Sequence, residues 1–203
     1  MTNETFLVLA NGYYVGESLN NVPNGKGTLI YTDGSMYSGE FLNGTFEGNG
    51  TFRYVSGGVY TGTFKNGKFE GNGKLVFSHG DIYEGAFKND KMEGYGKYTY
   101  KSGTSYVGMI KNGFFHGDGA IYYKNGNIYV GELENSKPHG AGTIYYEDEK
   151  FNVEGIFENG SITGQGKVTF ADGTTGQYIF KDGKPVDFVP DYKADKDNKT
   201  FTC

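Results

Sequence analysis

The chain has 203 residues, of which 36% are apolar and 35 are Gly, and its formal net charge is −5. Glycine at more than twice the roughly 7% of average usage, beside 18 Tyr and 16 Phe, argues against an ordinary large-cored domain and against a disordered chain, which lacks aromatics. The acidic balance argues against general binding to nucleic acid or membrane, and a single cysteine, Cys203, excludes an intrachain disulfide.

At the start of the chain, the apolar run from Phe6 to Ala10 is too short for a signal peptide, and no basic region precedes it. No stretch approaches the roughly 20 apolar residues of a membrane span. Thr2 and the position of Cys203 do not suit lipidation signals. The sequons at Asn3, Asn43 and Asn159 read as by-products of an Asn/Gly/Thr-rich sequence. A cytoplasmic protein is expected, with cytoskeletal or membrane association open.

From Tyr14 onward a 23-residue period takes over. Tyr14, Tyr37, Tyr60, Tyr83, Tyr106 and Tyr129 fall in one column, and a Gly follows each after two residues. Phe41, Phe64, Phe87, Ile110 and Leu133 form the next column, with Ser18 as its exception. Asn then recurs, followed by a Gly-x-Gly pair such as Gly71 and Gly73. The register slips by one residue within 147–152, a seventh copy resumes at Val153, and half of an eighth follows with Phe180 and Gly183. Phe6 to Gly12 resembles the second half of a repeat. Repeat arrays need atypical ends, so residues 1–13 are expected to be a cap, 14–183 the array and 184–203 a polar tail.

Each repeat carries two segments of period-two alternation, the strand signature, such as Tyr60 to Phe64 and Lys74 to Phe77. Asn-Gly steps, as at Asn66-Gly67, and steps such as Asp33-Gly34 mark the reversals, because Gly supplies the positive φ of tight turns. No helical periodicity occurs. The expected fold is all-β, an elongated single-layer antiparallel ribbon of β-hairpins with about seven full repeats and a half-repeat at each end.

The run Tyr-x-Gly-x-Phe-x-Asn-Gly, then Gly-x-Gly, then Asp/Asn-Gly, resembles the MORN (membrane occupation and recognition nexus) repeat from about Tyr14 to Gly183. It departs from that pattern where Phe, Leu or Ile replaces the Trp common two residues after the first Gly, and where Val153 replaces Tyr. The resemblance implies a curved single-layer sheet used for scaffolding at membranes and cytoskeletal structures.

Tyr60, Gly62 and Phe64 point to one side of their strand, and Leu75 and Phe77 are expected on the same side. An aromatic stripe on one face follows, with a mostly polar face opposite. Phe46, Phe69, Met92 and Phe115 are placed to fold over that stripe and complete a thin core. Alternatively Tyr37, Phe41, Tyr60, Phe64, Tyr83, Phe87, Tyr106 and Tyr129 line a groove for a partner helix or extended peptide. Charge is uneven, at −3, +3 and −5 over residues 1–59, 60–124 and 125–203. Lys65, Lys88 and Lys111 share one column and Lys68 and Lys91 another. They read either as a solvated face, with Glu70 and Glu93 nearby, or as a site for anionic phospholipid.

The leading expectation is a non-catalytic scaffold for protein partners in a cytoskeletal, ciliary or cortical assembly. The alternative is peripheral binding of phospholipid or phosphoinositide, and exposed end strands raise a homodimer. No cofactor, metal or nucleic acid is expected. Gly62 to Lys68 mimics a phosphate loop, but Phe69 stands where Ser or Thr is needed and no helix follows. His116 and His139 lie about 10 Å apart at two strands per repeat, with no further ligand implied.

Overall fold

A computed structural model describes residues 4–189. The chain divides into two compact units, Met1–Lys101 and Ser102–Cys203. The first holds β1 (Thr5–Leu9), β2 (Gly12–Leu19), β3 (Val22–Tyr31), β4 (Met36–Leu42), β5 (Thr45–Arg53), β6 (Val59–Lys65), β7 (Lys68–Val76), β8 (Ile82–Lys88) and β9 (Lys91–Thr99). The second holds β10 (Ser105–Lys111), β11 (Phe114–Tyr122), β12 (Ile128–Glu134), β13 (Lys137–Tyr146), β14 (Phe151–Glu158), β15 (Ser161–Phe170), β16 (Thr175–Lys181) and β17 (Lys184–Val189). Within each unit every strand pairs antiparallel with its neighbours in sequence, and the described residues contain no helix. The all-β hairpin ribbon read from the sequence is the fold.

The third repeat shows why this sequence builds it. Lys65 and Lys68 pair across Asn66-Gly67, whose φ values of 50° and 77° put both turn residues in the left-handed region that a two-residue hairpin needs. The register then shifts between Gly62 and Thr63, so that Gly71 and Asn72 bulge out of the β6–β7 ladder. Gly71 makes the bulge with φ 64°. Gly73 has a different task, because it lies directly opposite Gly62 and a Cβ on either would fall 2.5–2.6 Å from the Tyr60 side chain. The tyrosine ring is laid flat across this bare pair. Its hydroxyl donates to the carbonyl of Thr63, 2.9 Å away, at the point where the register shifts.

The same latch recurs from Tyr37 to Glu40 O (2.9 Å), from Tyr83 to Ala86 O (2.8 Å) and from Tyr129 to Glu132 O (2.7 Å). The rings of Tyr14, Tyr37, Tyr60 and Tyr129 also staple neighbouring repeats. Tyr37 meets Phe41 of its own repeat edge-on at 5.0 Å and Phe64 of the next at 4.9 Å, and Phe46 stacks on it at 3.8 Å. Tyr60 repeats the arrangement with Phe64, Phe87 and Phe69. In the seventh repeat, where Val153 replaces the tyrosine, Ile162 and Phe180 reach over Gly155 and Gly166 instead. The register slip is absorbed in the turn before β14, where Lys150 N donates to Tyr146 O and Lys150 takes φ 56°.

Two features differ from the sequence reading. The segment Lys184–Val189, read as the start of a tail, forms β17, because Phe188 alternates onto Tyr178 with ring centroids 5.1 Å apart. The remainder of that tail, with Cys203, lies outside the described residues. The outer face is also less polar than expected. Phe6, Val8, Tyr13, Val15 and Ile30 on β1–β3 are exposed on the side opposite the buried tyrosines.

If the ring over the glycine pair governs stability, Gly73→Ala should destabilise the protein by about 1–3 kcal/mol through overpacking, although Gly73 has an ordinary φ. Urea unfolding monitored by circular dichroism measures this. Burial, aided by Asp90 and Glu70, pushes the Tyr60 phenol up to about 12, and burial with Glu93 does the same for Tyr83. A group whose folded value is raised loses its stabilising contribution as pH climbs from the unfolded value of 10.0 through the folded one. Alkaline titration should therefore show tyrosinate absorbance from these residues rising together with loss of β-structure.

Candidate functional site

The eight aromatics expected to line a groove, Tyr37, Phe41, Tyr60, Phe64, Tyr83, Phe87, Tyr106 and Tyr129, are all buried, none more than 4% exposed. They form the thin core. The cause is the stacking of Phe46, Phe69 and Phe115 onto Tyr37, Tyr60 and Tyr106 at 3.8, 3.7 and 3.9 Å, which seals the stripe.

Accessible aromatic surface lies further along the same face, toward the Asp-Gly-type turns. In the first unit Tyr31, Phe52 and Tyr54 form one trio, with centroids 5.9 and 4.7 Å apart. Phe77, Tyr98 and Tyr100 form a second, again at 5.9 and 4.7 Å. The two are related by 46 residues, two repeats, because Phe52 and Tyr98 alternate in their column with Leu29 and Leu75. Tyr54 and Tyr100 are the most exposed members, at 41% and 36%.

The lysine columns lie at the hairpin tips. Lys65 stands opposite Lys68 and Lys88 opposite Lys91, while Lys111, in the second unit, stands opposite Phe114. All five lysines are exposed. Like charges directly across a strand pair repel, but carboxylates are interleaved with them. Glu47 Oε2 accepts from Asn66 N at 2.9 Å, and Glu70 Oε2 accepts from Asn89 N at 3.1 Å. These glutamates lash each tip to the next and bring negative charge to both lysine pairs of the first unit, which suits a solvated face.

One polar cluster was not legible as a site in the sequence. Asp81, buried at 8% exposure, accepts Tyr98 Oη at 2.7 Å and Lys101 N at 2.9 Å, with His79 Nε2 at 3.1 Å. Burial alone would raise its carboxyl, but the hydrogen bonds from Lys101, Tyr98 and His79 outweigh that and hold it below the ordinary value. A Tyr–Asp–His group invites a catalytic reading, yet its column explains it otherwise. Ser35 Oγ accepts from Val55 N at 3.2 Å and Asn127 Oδ1 from Glu147 N at 3.1 Å, the same bond at equivalent turns of other repeats. Asp81 clamps one turn to the next. A short polar residue in most periods, at Ser35, Asp81, Thr104 and Asn127 with Gly58 as the exception, was the available signal. His139 lies 3.5 Å from Glu134, and among the described residues no group of three or more His, Cys, Asp or Glu could hold a metal ion. No helix among them is long and apolar enough to cross a membrane.

Two antiparallel strands per 23-residue unit, tied by one aromatic over two opposed glycines, define a β-hairpin repeat protein. The chain belongs to the MORN repeat family, whose repeat is matched at residues 14–36, 37–59, 60–82, 83–105, 106–128, 129–149 and 154–175. Among solved structures it is similar to the TCP domain of SAS-4 from Drosophila melanogaster, solved in complex with a proline-rich motif of Ana2. The identity is 11%, over 87% of this chain and 90% of that one, with a TM-score of 0.52. It is also similar to the G-box domain of the microcephaly protein CPAP, at 11% identity over 88% of this chain and all of that one, with a TM-score of 0.50. At such identity the likeness is one of fold. No curated protein matches the sequence.

Asp81→Ala should cost about 1–3 kcal/mol at neutral pH by leaving Lys101 N–H without its acceptor. Because the folded carboxyl is held down, its stabilising contribution is present above the ordinary 3.8 and is lost as pH falls through the folded value. The gap in melting temperature between the wild type and Asp81→Ala should therefore narrow below about pH 4.

Proposed function

We propose that the protein is a non-catalytic scaffold that binds an extended, proline-rich segment of a partner protein across the two aromatic trios of the first unit. The observation that carries this reading is their repetition at a spacing of two repeats. Four strand steps of about 4.8 Å put equivalent rings about 19 Å apart. Six residues of polyproline II advance by a similar distance, at about 3.1 Å each. A polyproline II segment crossing the strands thus meets the same aromatic surface after two of its own turns, without strain in either partner.

Tyr54 and Tyr100 suit such a ligand, since proline rings dock on exposed aromatic faces and the preformed helix loses little entropy on binding. The Drosophila SAS-4 domain, of the same fold, was solved with a proline-rich motif bound, which supports this choice of ligand. For the CPAP G-box domain, structural analysis suggests a role in centriole elongation. That accords with placing this chain in a cytoskeletal assembly.

The test is a pull-down from lysate at low and high salt, paired with titration of fluorescent proline-rich peptides into the purified chain. Capture should resist salt. Tyr54→Ala and Tyr100→Ala should each weaken peptide binding about tenfold, the loss of a hot-spot contact of about 1.4 kcal/mol. Tyr95→Ala, at another exposed tyrosine, should leave it unchanged. Equal binding by the wild type and the Tyr54 and Tyr100 variants would remove the trios from the mechanism.

A further inference from the structure

We propose that β1 is a self-pairing edge through which two copies of this chain associate in antiparallel register about Leu7. Strand β1 pairs with β2 alone among the described residues. A bare edge offers a row of unpaired backbone groups, and proteins ordinarily guard it with charge, proline or a bulge. The strand β17 carries Lys184, Pro185 and Asp187. By contrast β1, with the sequence Thr5–Leu9, has no charged residue, no proline and no register shift.

The outward groups of β1 follow from its turn. Leu9 and Gly12 are opposed across two residues, so they exchange hydrogen bonds, and the alternation of an antiparallel ladder commits Leu7 and Thr5 to β2 as well. Phe6 and Val8 therefore point their N–H and C=O groups away from β2. In a second copy related by a two-fold axis at Leu7, Phe6 of each chain faces Val8 of the other as a hydrogen-bonded pair. Both residues have the required groups outward, so the backbone matches itself.

The side chains match as well. Phe6 and Val8 are 63% and 73% exposed on the outer face, where Phe6 already packs against Tyr13 at 6.1 Å. In the pair each would gain an apolar cross-strand neighbour. Thr5 faces Leu9, and Glu4 falls opposite Ala10, so no like charges meet. Five residues bury less than the roughly 1,200 Å² at which standard interfaces begin. The association is therefore reversible and depends on concentration.

Sedimentation equilibrium over a wide concentration series of the full chain tests this. The wild-type mass should rise from one chain toward two. Phe6→Lys/Val8→Lys and Phe6→Glu/Val8→Glu should each stay monomeric with unchanged circular dichroism, and mixing the two should restore a heterodimer. A Leu7→Cys variant in a Cys203→Ser background reports the register. Leu7 would face its own copy in a non-hydrogen-bonded pair about 4.5 Å apart at Cα, within disulfide reach, so oxidation should give a covalent dimer. A wild type that remains monomeric throughout, or charge variants that dimerise like it, would overturn the proposal. So would failure of Leu7→Cys to cross-link while the wild type dimerises.

Discussion

The first six repeats depend on a tyrosine ring lying across two glycines that face each other in neighbouring strands. A single-layer sheet has no second layer to cover an apolar face, so the covering must come from within. Removing two opposed Cβ atoms opens a slot one ring thick, and the ring fills it. The hydroxyl then reaches the carbonyl beside the register shift, which turns a bulky side chain into a backbone partner. The usual objection to glycine in strands, that it leaves nothing to pack, is answered by the ring itself.

The same device explains how the repeats communicate. Tyr37 and Tyr60 each touch phenylalanines of their own repeat and of the next, so the thin core there is a relay of edge-on and stacked contacts rather than a central mass. Outside that relay, Asp81, Ser35 and Asn127 tie turn to turn, and Glu47 and Glu70 tie hairpin tip to hairpin tip. Inter-repeat bonds thus run along both ends of the strands as well as their middle. Such local ties suit repeat proteins, whose stability is close to a sum over neighbouring units.

Much of this was legible in the sequence, because the 23-residue period exposes the tyrosine, glycine and asparagine columns directly. The burial of those aromatics was legible only in part. A column of Tyr and Phe reads equally well as groove or core, and the choice rests on whether Phe46 and Phe69 close over it. The paired trios were hidden because their period is two repeats: Phe52 and Tyr98 look like irregular variants of a column that also holds Leu29 and Leu75. Strand β17 was masked by Lys184, Pro185 and Asp187, which mark an edge strand as readily as a tail. Asp81 sits in a column with Ser35, Gly58, Thr104 and Asn127, which share small size and, Gly58 apart, polarity, a weak signature in a sequence.

The seventh repeat carries a further meaning. There the slot over Gly155 and Gly166 is filled by Ile162 and Phe180, not by a tyrosine of the first strand. The slot is the constant element of the repeat, and in the seventh unit its occupants come from the second strand and the strand after it. Drift at the tyrosine position is therefore survivable wherever a neighbour supplies a replacement. Unequal recombination between near-identical units can likewise add or delete a whole period and leave the remaining slots filled. Each added period would bring its own glycine slot together with the residues that fill it.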